Sequence, residues 1–202
     1  LFVPSSVVWT DKGAELVQRT TFPETPATSL QWRLRVPTEI ALQLRHPRWS
    51  RTASVLVNGQ QVARSVAPGR FIEVARLWND GDRVELRLTM EPEVERAPAA
   101  PDIVAFTYGP IVLAGALGKQ GLAAGADIIV NERKIGDYNK GDVAVPTIAG
   151  DPALLAQRLK PGVGPLEFTI AAEDGSPIRL IPYHRIAHER YATYWRVKPA
   201  EI

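Results

Sequence analysis

Over roughly the first ninety residues, apolar and polar side chains alternate with a period of two, a pattern that puts one face of a strand in a core and the other in water. Leu30-Gln31-Trp32-Arg33-Leu34-Arg35-Val36 interleaves apolar residues with Gln and Arg. Val84-Glu85-Leu86-Arg87-Leu88-Thr89-Met90 repeats the scheme, and Ile40-Ala41-Leu42-Gln43-Leu44 follows it more weakly. A helix would carry Arg33 and Arg87 onto its apolar stripe, so these segments read as strands whose outward arginines keep one sheet face wet. Asn58-Gly59, set between Val55-Leu56-Val57 and Gln60-Gln61-Val62, is a two-residue hairpin signal. Ala67-Pro68-Gly69 and Asn79-Asp80-Gly81-Asp82 supply further reversals. Short strands at this spacing predict an antiparallel β-sandwich over residues 1–92.

From Glu91 the alternation stops, and the charged, proline-rich stretch 93–102 reads as an inter-domain linker. A second β-rich domain is expected over 103–202. Its runs Ile103 to Tyr108 and Ile111 to Leu117 lack polar alternation, as in strands covered on both faces, and are expected to leave an apolar docking patch on this domain. Long loops with one or two strands are expected from Gly118 to Gly150, where Ile128-Ile129-Val130 and Val143-Ala144-Val145 are the short apolar pieces. Asp151 at an N-cap, Pro152 at the first helical position and a stop at Pro161-Gly162 predict one short helix of about two turns near 151–159. Asp174-Gly175-Ser176-Pro177 reads as a hairpin turn, and Tyr191 to Val197 as a last aromatic strand. The fold class is therefore all-β, two β-sandwich-like domains in tandem.

Composition removes several functions. A net charge of +2, with the basic residues scattered among 22 acidic ones, offers no stripe for nucleic acid; Arg45-His46-Pro47-Arg48 with Arg51 reads as a solvated loop. There is no cysteine, which excludes disulfides, thiolate metal sites and cysteine nucleophiles within this chain. The longest apolar run, Ile111 to Leu117, is far too short for a membrane-spanning helix, and no membrane partner is expected. Leu1-Phe2-Val3-Pro4 lacks the basic start of a signal peptide, and the compartment stays open. Opening without Met inside structured sequence, the chain is read as part of something longer.

No catalytic, cofactor-binding or metal-binding residue emerges. His184 and His188 are four apart, but Pro182 and the flanking strand signals argue against the helix that would align them for zinc. Asp80 and Asp82 read as turn-formers, Glu85 as an outward strand residue, and Glu189 as an ion-paired carboxylate. Indole rings can stack on sugar faces; Trp32 falls on the apolar phase of its strand and reads as core, while Trp49 and Trp78, in or beside turns, and Tyr194 are the candidate carbohydrate contacts.

Several strings in order resemble the C-terminal part of glycoside hydrolase family 127, the β-L-arabinofuranosidase-like group. They are Leu1-Phe2-Val3-Pro4-Ser5, Leu44-Arg45-His46-Pro47-Arg48-Trp49 followed by Val57-Asn58-Gly59, Trp78-Asn79-Asp80-Gly81-Asp82, the stretch Val104 to Gly115, and the ending Ile181 to Trp195. The resemblance implies an upstream catalytic (α/α)6 barrel with β-sandwich domains after it, and a zinc–thiolate site inside that barrel. None of the family's catalytic residues or zinc ligands maps onto this cysteine-free chain, so no cofactor is expected here. The expected role is a non-catalytic accessory portion that packs against its own barrel. The residues leave two other roles open, a carbohydrate-binding module for a glycan and a protein-interaction or homodimer-forming domain.

Overall fold

The computed structural model describes residues 2–64, 67–120 and 144–198. The chain divides into two compact units, Leu1–Glu91 and Pro92–Ile202.

The first unit contains β1 (Ser5–Trp9), β2 (Ala14–Arg19), β3 (Ala27–Leu34), β4 (Thr38–Arg45), β5 (Ala53–Val57), β6 (Gln60–Arg64), β7 (Phe71–Trp78) and β8 (Arg83–Leu88). Six of these form one antiparallel sheet in the order β1-β2-β3-β8-β5-β6, and β4 and β7 pair as a separate two-stranded sheet. The alternation read from sequence is what closes the two layers: Leu30, Trp32 and Leu34 of β3 and Val84, Leu86 and Leu88 of β8 share one buried cluster with Leu44 of β4 and Ile72, Val74 and Trp78 of β7. Burying each such side chain contributes about 1.5–3 kcal/mol. The β5–β6 turn is the one the sequence predicted, with Asn58 and Gly59 both at positive φ (49° and 83°), the requirement of a type I′ hairpin.

Three carboxylate and amide side chains lock the turns at one end of this unit. Asp82 accepts hydrogen bonds from the Asn79 backbone N–H (2.9 Å) and the Asn58 side-chain amide (2.8 Å), joining two turns. Asp80 accepts from the Leu34 backbone N–H at 2.9 Å. The Arg45–Arg51 region is solvated only at its arginines: Arg45, Arg48 and Arg51 are exposed, but His46, Pro47 and Ser50 are buried, and the His46 ring lies 2.7 Å from the Ser50 carbonyl through Nε2.

The second unit is built on β9 (Pro92–Ala97), β10 (Ala100–Tyr108) and β11 (Ile111–Ala116), followed by β12 (Ile148–Ala149), a one-turn helix α1 (Leu155–Arg158), β13 (Lys160–Pro161), β14 (Phe168–Ala171), β15 (Pro177–Pro182), β16 (Tyr191–Ala192) and β17 (Trp195–Lys198). All nine strands join one sheet. β9 pairs along one edge of β10, and the other edge is shared by β11 and β17. The expected linker is therefore half of a β-hairpin. Its prolines misled the reading because each stands where a missing N–H does little harm: Pro92 opens an edge strand, Pro98 lies in the turn, and Pro101 sits at a register shift.

The helix is shorter than expected. Asp151 accepts from the Ala153 N–H, but residues 152–154 form a turn and only Leu155–Arg158 are helical. The segment Ile128 to Val130, expected as a strand, lies outside the described residues. Among the described residues, no helix is long and apolar enough to cross a membrane.

Candidate functional site

The structure does not bring the three candidate carbohydrate contacts together. Trp78 has no exposed surface; its ring packs 5.8 Å from that of Trp32, and its indole N–H donates to the Ile40 carbonyl at 2.9 Å. It is a core residue with no face to offer a sugar, which corrects the sequence reading. Trp49 is half-buried and stacks on Phe22 at 6.0 Å, and Phe22 packs on Phe2, so part of the indole is already occupied. Tyr194 stands in the second unit, 65% exposed. Close to it in sequence, Tyr183 and Tyr191 set their rings 5.3 Å apart with hydroxyls 3.2 Å apart. That hydrogen bond, and then burial, raise the Tyr191 phenol above its ordinary pKa.

The carboxylates are committed to structure. Glu189 accepts from the Gly118 N–H at 3.2 Å and so ties the segment before β16 to the end of β11. Glu85 pairs with Arg87 at 2.7 Å, and Glu167 receives two hydrogen bonds from Arg179. Arg179, followed by the Gly164 N–H, holds the Glu167 carboxyl below its ordinary range against the opposing effect of burial. His184 lies in the short 3-10 turn Tyr183–Arg185 and His188 has a left-handed backbone (φ 49°), so the two imidazoles share no helix face. Among the described residues, no group of three or more His, Asp or Glu gathers as a metal site.

An apolar surface feature of the first unit was not singled out from sequence. In the register of the six-stranded sheet, Val7 of β1 lies opposite Leu16 of β2, and Leu16 opposite Trp32 of β3. These three project from the core face, yet Trp32 is 3% exposed, Leu16 half-buried and Val7 59% exposed. The next row repeats the gradient, with Leu34 and Ala14 buried and Trp9 46% exposed. Two strands thus cover a six-stranded sheet incompletely, and the β1–β2 side overhangs. Between the overhang and β4 lies an apolar groove of about 460 Å³, lined by Val7, Trp9, Leu16, Trp32, Ile40 and Leu42 among others. The signal in sequence was Val7-Val8-Trp9, three consecutive apolar residues in a strand of an otherwise alternating domain.

Of the runs expected to leave a docking patch on the second domain, Val104, Phe106, Leu113 and Ala114 are wholly buried, Ile103, Tyr108 and Leu117 are half-buried and Val112 is 40% exposed, while Tyr191 and Tyr194 near the end of the chain stand exposed.

Comparison with known proteins agrees with this architecture. Residues 1–90 match the family model described as the middle domain of GH127 β-L-arabinofuranosidase. Residues 93–197 match DUF4986, a domain of unknown function. The chain is a GH127-like β-region. Its fold recurs in a GH127 β-L-arabinofuranosidase from Geobacillus stearothermophilus T6, at 21% identity and a TM-score of 0.65, covering 98% of this chain and 33% of that one. A protein described as a glycoside hydrolase matches at 22% identity and a TM-score of 0.64 over 97% of this chain and 34% of that one. A further GH127 β-arabinofuranosidase matches at 20% identity and a TM-score of 0.58, covering 96% and 33%. The GH127-like chain thus spans about a third of the length of these solved relatives. No curated protein matches it.

Proposed function

We propose that this GH127-like β-region is the non-catalytic accessory portion of a larger glycoside hydrolase, its two units supporting a catalytic barrel supplied by the rest of that protein. The observation that carries this reading is the match of nearly the whole chain to one third of glycoside hydrolases whose remaining two thirds lie outside it. The use of Asp82, Asp80, Glu85, Glu167 and Glu189 in turns, ion pairs and backbone bonds supports it, because most glycosidases hold two carboxyl groups across a substrate cleft. A zinc–thiolate site of the kind the family resemblance implies belongs to that other portion, since this chain has no cysteine. The test is incubation of the purified chain with aryl arabinofuranosides and arabinan oligosaccharides. No release is expected; turnover that follows the protein through purification and disappears on mutation of one acidic residue would overturn the reading.

One observation favours glycan binding as a second reading: Tyr183, Tyr191 and Tyr194 are each exposed in the second unit. Titration with arabinose-, galactose- and xylose-containing oligosaccharides, followed by NMR, separates the two. Shifts confined to these tyrosines support it, and an inert spectrum at millimolar sugar removes it.

A further inference from the structure

We propose that the groove beside β4 takes an extended polypeptide strand, which pairs with the free edge of β4 and covers the overhang of β1 and β2. The strand comes from the portion of the larger hydrolase outside this chain, so the proposal rests on the accessory-region reading and names one element of its partner.

The backbone of β4 supplies the first argument. The His46 N–H donates to the Arg70 carbonyl at 2.9 Å, which fixes the ladder with β7 so that even-numbered residues of β4 bond across to it. The N–H and C=O groups of Glu39, Ala41, Gln43 and Arg45 therefore point the other way, onto an edge that pairs with no strand among the described residues. An uncovered edge of this kind is a template for pairing, and proteins normally cover or block it. Here it borders an apolar floor rather than a charged one.

Geometry supplies the second. Neighbouring strands in any sheet are spaced about 4.8 Å apart, so one strand added to β4 advances the two-stranded layer by one position. Cover now ends over β2, where Leu16 is half-buried, and one more strand brings it over Val7 and Trp9. The side chains of such a strand alternate, as in other recognition by strand addition. One set enters the apolar groove. The other lies on the outer face beside Glu39 and Arg45, which form no ion pair among the described residues, and charge complementarity calls for a basic residue opposite the first and an acidic one opposite the second.

Chain length supplies the third. Solved relatives carry about two thirds of their length outside the matched part, ample to contribute one strand. A second copy of this chain fits poorly. Antiparallel pairing of two β4 edges about a two-fold axis would put both six-stranded sheets on the same side, and their β1–β2 overhangs would compete for one space.

The experiment is residue-resolved amide hydrogen exchange on β4 in this 202-residue chain and in the full-length protein. Exchange at Ala41 and Gln43 should be fast in the former and on the order of 100-fold slower in the latter. Val7→Asp, at a position 59% exposed, should leave the melting of the 202-residue chain unchanged and abolish that slowing in the full-length protein. If this variant does not fold at full length, Ala41→Pro, at the wall of the groove, removes one outward N–H while leaving Val7, Leu16 and Trp32 in place and should also abolish the slowing at Gln43. Equal exchange at Ala41 and Gln43 in both proteins overturns the proposal. Shielding of Val7 and Trp9 with β4 amides still fast overturns it in favour of face-on packing and leaves the accessory reading intact, whereas glycoside hydrolysis by the 202-residue chain overturns that reading whatever the exchange shows.

Discussion

Gly115, on β11, is the position where one added methyl group should do most damage in the second unit. Its φ is not in the left-handed region, so alanine meets no backbone penalty and the cost is packing alone. A Cβ there falls well inside van der Waals distance of two atoms of the six-membered ring of Trp195, with the Ile178 methyl 3.4 Å away on another side. Trp195 is wholly buried and cannot swing into water, so either the indole leaves its position or β11 moves away from β15. Overpacking of this kind costs about 1–3 kcal/mol, and the upper end is expected because two ring atoms are struck. For a domain of this size the urea dependence is about 2 kcal/mol per M, so Gly115→Ala should lower the unfolding midpoint of the second unit by roughly 1.5 M. The assay is urea unfolding followed by circular dichroism, repeated in a Trp195→Phe background. Phe lacks the struck atoms, and the indole N–H it removes is buried without a hydrogen-bond partner among the described residues; the cost of Gly115→Ala should then fall below about 1 kcal/mol. Equal midpoint shifts in both backgrounds would refute the packing argument.

Trp78→Phe should destabilise the first unit by about 2–3 kcal/mol, since it opens a cavity and removes the indole N–H bond to the Ile40 carbonyl; thermal melting checks it, and a loss of sugar affinity without a change in stability would contradict the burial. Asp82→Ala should cost about 1–3 kcal/mol by leaving the Asn79 N–H and Asn58 amide unpaired, measured by denaturant midpoint. Burial opposes ionisation of Asp82, but the hydrogen bonds from Asn79 and Asn58, with the charge of Arg76, outweigh it and lower its pKa. Its contribution is thus full above the unfolded carboxylate pKa and is lost as pH falls through the lower folded value; acid titration of stability should show a loss below about pH 4 that is smaller in Asp82→Ala. Glu167→Gln should change stability by less than about 1 kcal/mol, because its partner Arg179 is 55% exposed; a larger shift in melting would show that the pair anchors β14 to β15.

The antiparallel strands of the first unit, its Asn58-Gly59 turn and the burial of Trp32 were legible because each depends on neighbours two or three residues away. Trp78 was not. It shares the inward parity of Ile72 and Val74, but Arg76 stands at the intervening inward position, where its guanidinium lies 5.3 Å from the Trp78 ring, and so breaks the apolar alternation. Local composition also misplaced the 93–102 hairpin, because whether a proline harms a strand depends on which edge its missing N–H would face, and pairing decides that. The family resemblance was legible in short ordered strings, whereas the groove was not. Period-two alternation says which side chains share a face of a strand; it does not say how many strands lie in each layer. That six strands face two, and that Val7 and Trp9 consequently stand uncovered beside the open edge of β4, followed only from the long-range pairing that builds the sheets.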